Sequence, residues 1–214
     1  MLNSDPDHLG FYCIDVLGHG IILALMAAQV GDYLNNTFPD YNIAMRRPID
    51  GGCDLRPPEE LAQRLNQLLS GDTGVIENFT MVYGTADLQS GKIKLVQAGH
   101  PPPLVIRGNG QMEFLGQGGL PIGLIADASY SGFQIVLNSG DRILLYSDGF
   151  KKCETQSGVM LEEEGLMSLV FTCDFNVSGQ AFLEDLLQKL KVCMGPRERF
   201  DYDISMTLFE FNGL

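Results

Sequence analysis

A layered α+β domain, with helices covering the outer faces of packed antiparallel sheets, is the fold class this sequence predicts. Three observations predict it. Helical periodicity stands before and after a long middle section, that section reads as short strands separated by turn residues, and 214 residues with 45% hydrophobic content can bury a substantial core.

The elements follow in order. Leu9 to Asp15 reads as a strand that runs into a Gly18-His19-Gly20 turn, and Ile21 to about Leu34 as a helix carrying Ile22, Leu25, Met26 and Val30. That helix is apolar on nearly all sides, so burial is expected. Pro39 to Arg56 contains Pro48, Gly51 and Gly52 without periodicity and reads as a loop. Pro57-Pro58-Glu59-Glu60 suits a helical first turn, and Leu61, Leu65, Leu68 and Leu69 then recur at helical spacing, which gives an amphipathic helix fit to cover a sheet.

Four or five strands are expected next, from the candidates Phe79 to Asp87, Lys92 to Ala98, Pro103 to Arg107, Gln111 to Leu115 and Phe133 to Leu137. Turns at Gln89-Ser90-Gly91, Gly108-Asn109-Gly110 and Asn138-Ser139-Gly140 suggest hairpins, so the section reads as an antiparallel meander. After the strand Arg142 to Ser147, Glu162 to Glu164 open a short helix. Ser178 can cap a longer one with Phe182, Leu183, Leu186, Leu187 and Leu190 on one stripe, ending before Gly195-Pro196. Ile204 to Phe211 closes the chain as a strand.

Composition excludes several classes. No run approaches the roughly 20 apolar residues of a membrane helix, and the N-terminus lacks a secretory pattern, so a soluble, cytoplasmic protein is expected. The five cysteines are odd in number and never form a C-x-x-C pair, which argues against a disulfide framework or a zinc site. A formal net charge of -13 disfavours nucleic acid or an anionic membrane as partner, yet suits carboxylates that gather divalent ions.

The chemistry concentrates at strand ends. Leu144-Leu145-Tyr146-Ser147-Asp148-Gly149 is an apolar strand stopping on a carboxylate and a glycine, Phe11 to Asp15 ends similarly, and Asp201-Tyr202-Asp203 opens the last strand. A carboxylate at a buried strand end is costly unless its charge is compensated, so three of them suggest convergence on bound cations. In Asp15-Val16-Leu17-Gly18-His19-Gly20 the glycines let a carboxylate and a main-chain carbonyl face one ion. A capped strand-to-helix turn is the competing reading, and His19 reads better as a hydrogen-bonding turn residue. His100, in the rigid Ala98-Gly99-His100-Pro101-Pro102-Pro103 turn, reads as structural rather than catalytic. Gly118 to Gly123 lacks the lysine of a phosphate-binding loop and reads as a structural loop.

Six motifs in this order resemble one family: Asp15-Val16-x-Gly18-His19-Gly20, Asn78 to Tyr83, Ala98 to Leu104, Gly119 to Gly123, Gly140 to Gly149 and Asp203-Ile204-Ser205 are similar to the metal-dependent protein phosphatases of the SpoIIE-like branch. The match runs from Leu9 to Phe211. The resemblance implies a four-layer αββα sandwich of two mainly antiparallel sheets flanked by helices, binding two Mn²⁺ or Mg²⁺ ions. Asp15 would bridge the ions, the Val16 carbonyl and Asp203 would help hold them, and Asp148 would ligate from the other sheet. A water between them would attack a phosphoserine or phosphothreonine in line. The implied substrate is a phosphorylated regulatory protein of the anti-sigma-factor antagonist type, with a receiver or sensory domain upstream.

This sequence also departs from the family pattern. Residues 1–214 read as a single domain lacking the family's first strand and its Gly-Gly-Asp segment, and an exposed sheet edge would then promote a homodimer or strand swapping. Tyr202 stands where the family shows a metal-binding aspartate, and a phenol is a poor ligand for hard ions near neutral pH. Lys151-Lys152 replace a threonine and a glutamate; they would either weaken cation binding by roughly 1 kcal/mol each at surface-like dielectric or attract a phosphorylated substrate. A degenerate phosphatase fold serving as a binding module is therefore the alternative to an active enzyme.

Overall fold

The computed structural model describes residues 2–16, 21–35, 41–46, 54–70, 78–195 and 203–213. Its elements, in chain order, are β1 (Leu2–Asp5), β2 (His8–Val16), α1 (Ile21–Tyr33), β3 (Met45–Arg46), β4 (Asp54–Leu55), α2 (Pro58–Ser70), β5 (Phe79–Asp87), β6 (Lys92–Ala98), β7 (Leu104–Ile106), β8 (Met112–Phe114), β9 (Gly132–Val136), β10 (Asp141–Tyr146), α3 (Asp148–Lys151), α4 (Glu162–Phe171), α5 (Gly179–Met194) and β11 (Met206–Phe211). They divide into two compact units, Met1–His100 with Gly116–Leu137, and Pro101–Leu115 with Asn138–Asn212.

The first unit is an antiparallel sheet in the order β1-β2-β5-β6-β9. Strand alternation puts Phe79, Met81, Tyr83, Val96 and Ala98 on the face packed with α1 and α2, where Leu61, Ala62 and Leu65 of α2 are fully buried. The amphipathic α2 therefore covers the sheet as its leucine spacing predicts. The expectation for α1 needs correcting. Among the α1 side chains that are described, Met26 and Val30 are buried, as is the following Leu34, while Ile21 is 81% and Leu25 66% exposed. A helix lying on one sheet presents a single stripe to it, and an all-round apolar sequence leaves the remainder outside.

Within the stretch from Pro39 to Arg56 that reads as a loop, β3 and β4 pair in a short antiparallel ladder. Arg56 holds it, donating from Nε to the Ile43 carbonyl at 2.8 Å and from Nη2 to the Met45 carbonyl at 3.2 Å. β1 was not anticipated either. It covers β2 from His8 to Gly10.

The second unit is an antiparallel sheet in the order β11-β10-β7-β8, packed with α3, α4 and α5 through Leu104, Leu144, Tyr146, Phe150, Leu166 and Phe182. The meander expectation fails here. The hairpins β5–β6 and β7–β8 form at the anticipated turns but belong to different sheets, and Asn138-Ser139-Gly140 links β9 of one sheet to β10 of the other instead of closing a hairpin. Turn chemistry pairs adjacent strands locally; it does not decide which sheet a pair joins. Ser178 occupies the N-cap position of α5 without a side-chain bond, and Glu210 Oε2 accepts from the Gly179 N–H at 2.5 Å instead.

Candidate functional site

Asp15 is the penultimate residue of β2 and Val16 the last, paired across the ladder with Thr80 and Phe79. Alternation places Asp15 with the buried Phe11 and Cys13, on the sheet face opposite the helices, and leaves its side chain half-buried. Thr80 Oγ1 donates to the Asp15 carbonyl at 3.3 Å, which steadies the strand end. Leu17, Gly18, His19 and Gly20, the turn expected to shape this end, lie outside the described residues.

The proline and glycine motifs assemble around the same end of the first unit's sheet. Phe79 and Ile122 exchange backbone hydrogen bonds at 3.1 and 2.9 Å, and Met81 bridges Gly99 in parallel. Gly99 has φ +70°, and a β-carbon there would lie 2.7 Å from the Pro121 ring. Gly119 has φ +146°, and its β-carbon would meet the Gln97 carbonyl at 2.5 Å. Gln97 ties the two loops together, donating to the His100 carbonyl at 2.6 Å and accepting from the Gly118 N–H at 2.8 Å. His100 itself is 3% exposed.

Asn66 is a contributor that sequence reading missed. Fully buried on α2, its amide donates to the Ile125 and Ala126 carbonyls at 2.9 Å each, and its oxygen accepts from the Gly123 N–H at 2.8 Å and the Tyr130 hydroxyl at 3.1 Å. An amide one position after Leu65, on the apolar stripe of an amphipathic helix, was the available signal.

In the second unit β10 ends at Tyr146, Ser147 caps the turn, and Asp148 begins α3. Ser147 clamps the approach to β11. Its N–H donates to the Ser205 carbonyl at 3.0 Å, its Oγ donates to the Asp203 carbonyl at 3.3 Å, and the Ser205 N–H donates back to Oγ at 3.0 Å. The fold thus brings the backbone of Asp203 beside the residue preceding Asp148, with the Asp203 side chain exposed. Asp201 and Tyr202 lie outside the described residues.

The two lysines separate in role. Lys151 Nζ pairs with Glu163 at 2.9 Å, whereas Lys152 Nζ pairs with Asp148 Oδ2 at 2.6 Å. The ammonium supplies the compensating charge that a carboxylate at a strand end requires. Further back on β10, Asp141 accepts from the Gly108 and Asn138 N–H groups at 2.8 and 2.9 Å and pairs with Arg107 at 2.9 Å. Burial alone would raise its carboxyl, but these partners together hold it below the usual carboxylate range.

Asp15 and Val16 therefore belong to the first unit and Asp148 and Asp203 to the second. Among the described residues no three His, Cys, Asp or Glu side chains gather as a metal-binding group. The donors at these four positions are all oxygen, the set that suits Mg²⁺ or Mn²⁺ over softer metals.

Comparison with known proteins gives concordant matches. A family model described as Stage II sporulation protein E (SpoIIE) matches residues 5–212. Phosphoserine phosphatase RsbP of Bacillus subtilis is 28% identical over 145 residues, 68% of this chain and 34% of that protein. Phosphoserine phosphatase RsbU of the same organism is 26% identical over 168 residues, 78% of this chain and 46% of that one. The chain thus spans between a third and a half of the length of these curated relatives. Among solved structures, the SiaA-PP2C domain of Pseudomonas aeruginosa superposes with a TM-score of 0.75 at 16% identity, covering 98% of this chain and 78% of that one. That likeness shows the fold, an α+β sandwich of the PP2C type.

Proposed function

This chain belongs to the stage II sporulation protein E family, and from that premise we propose that it is a metal-dependent protein phosphatase acting on phosphoserine or phosphothreonine of a small regulatory protein of the anti-sigma-factor antagonist type. The observation that carries the reading is a family match over residues 5–212, with carboxylates at the ends of β2 and β10 and two relatives that are phosphoserine phosphatases. Because the matched part is a minor share of those relatives, the domain is read as the output end of a larger signalling protein with a receiver or sensory domain upstream.

The residues fit the implied ions. Asp15, the Val16 carbonyl, Asp148 and Asp203 offer hard oxygen donors, and the ammonium on Asp148 marks a carboxylate that already draws a cation. Two bound Mn²⁺ or Mg²⁺ ions would supply Lewis acidity, lowering the pKa of a water and neutralising phosphate charge. The chain's own part is positional. Thr80 steadies the main chain at Asp15, Ser147 holds residues 203–205 against the turn that carries Asp148, and Gln97 with Asn66 locks the loops beside the start of β5.

Phosphate release from p-nitrophenyl phosphate or a phosphoserine peptide, stimulated by Mn²⁺, tests the assignment. Asp15→Asn and Asp148→Asn are each expected to reduce it by about a hundredfold or more. No turnover of either substrate at saturating Mn²⁺ would remove it. The Lys152–Asp148 pair, together with Tyr202, favours a second reading, a phosphatase-fold binding module without turnover. Calorimetric titration with Mn²⁺ separates the two, since the module binds no metal.

A further inference from the structure

The helix-side face of the first unit's sheet is covered over only part of its length. Along β6 that face reads Lys92, Lys94, Val96, Ala98; the last two are buried beneath the helical layer and the lysines are exposed. Along β5 it changes in the same direction, from buried Phe79, Met81 and Tyr83 to half-buried Thr85 and Asp87. Beyond the start of α2 at Pro58, the uncovered end is walled by the β3–β4 ladder. The space between is a cavity of about 380 Å³, with Lys92, Lys94 and Thr85 on the sheet side and Arg46, Leu55 and Pro57 opposite.

The charge in this cavity runs against that of the chain. Three basic side chains line it in a protein of net charge -13, and its two carboxylates are already engaged. Asp87 Oδ1 accepts from the Gln89 and Ser90 N–H groups at 3.0 and 3.1 Å, and its Oδ2 accepts from Ser90 Oγ at 2.6 Å. Asp54 faces Arg46 at 3.9 Å. Among the described residues no carboxylate pairs with Lys92 or Lys94, although Lys92 stands directly across the hairpin from Asp87. The two ammonium groups project from one strand face two residues apart, a repeat of roughly 7 Å. Two adjacent anionic groups on one molecule match that repeat better than a single small ion does.

We propose that this cavity is a binding site for a small polyanion, a metabolite bearing two neighbouring phosphate or carboxylate groups, with Lys92 and Lys94 as its principal contacts. The site stands apart from the proposed phosphatase chemistry. His8, at its rim, and Asp15 are seven residues apart on β2, roughly 23 Å along the strand, and lie on opposite faces of the sheet. A ligand of this size fits, since small-molecule sites of this volume are common, and Leu55 and Pro57 offer an apolar wall for its body.

Amide NMR of the whole chain, stripped of divalent ions on a chelating resin beforehand so that none draws the probe to the carboxylates, reads the site directly. Titration with pyrophosphate is expected to shift Thr85, Lys92, Lys94 and Arg46, and the Lys92→Glu/Lys94→Glu variant to bind at least about tenfold more weakly while its remaining spectrum is unchanged. Should charge reversal disturb the hairpin, Lys92→Gln/Lys94→Gln gives the same reading. A parallel titration with citrate distinguishes the sources: equal binding points to any paired anion, pyrophosphate alone to phosphates, and both outcomes support the site. Absence of binding at millimolar pyrophosphate, shifts confined to other residues, or unchanged affinity in the variants would each overturn it.

Discussion

Lys152 reaches Asp148 from one helical turn further along the chain, and both side chains are partly exposed, so the pair is worth only about 0.2 to 1 kcal/mol. Any divalent ion held by Asp148 has to displace that ammonium and then tolerate it nearby. Lys152→Ala is therefore expected to tighten Mn²⁺ binding by about two- to tenfold, read by titration calorimetry, and Lys152→Glu more so. Unchanged affinity in both would mean that the ammonium does not compete for the carboxylate. Lys151, engaged by Glu163, is expected to matter less in the same titration. Two adjacent lysines looked equivalent in the sequence, and only the geometry of α3 and α4 distinguished them.

At the scale of elements, the start of β10 is tied to the β7–β8 hairpin through one carboxylate. Asp141 receives two backbone N–H groups and the Arg107 guanidinium, and Arg107 also reaches Glu113 at 2.9 Å. Its folded pKa lies below the unfolded value near 3.9, so its contribution to stability is present above that pH and is lost as pH falls through the folded value. Asp141→Asn is expected to cost about 2 to 3 kcal/mol at neutral pH, measured by urea unfolding, with the gap to the unsubstituted protein closing below about pH 4. A gap constant with pH would contradict the assignment. The secondary structure around this tie was legible within a residue or two, since alternation and the Gly108-Asn109-Gly110 turn are local signals. The tie was not, because it joins residues more than thirty positions apart.

At the scale of the molecule, α1 leaves part of its apolar surface outside the core of the first unit. With Ile21 and Leu25 exposed on α1, the chain is expected to self-associate with rising concentration in light scattering. A strictly monomeric species would show that these exposed side chains carry no interface. The family was legible at this scale because six short motifs in a set order are improbable by chance, and the family model spans residues 5–212.

Alone, the sequence determined the longer helices and strands, the turns of the β5–β6 and β7–β8 hairpins and the family, because hydrophobic period, turn chemistry and motif order are all written along the chain. Tertiary structure decided which sheet each hairpin joins, that α1 leaves Ile21 and Leu25 exposed, that Lys152 rather than Lys151 sits on Asp148, and that Asn66 pins the loop from Gly123 to Tyr130. Those outcomes depend on contacts between residues distant in sequence. No local signal encodes such contacts, because packing and charge pairing are settled only when the whole chain has closed on itself.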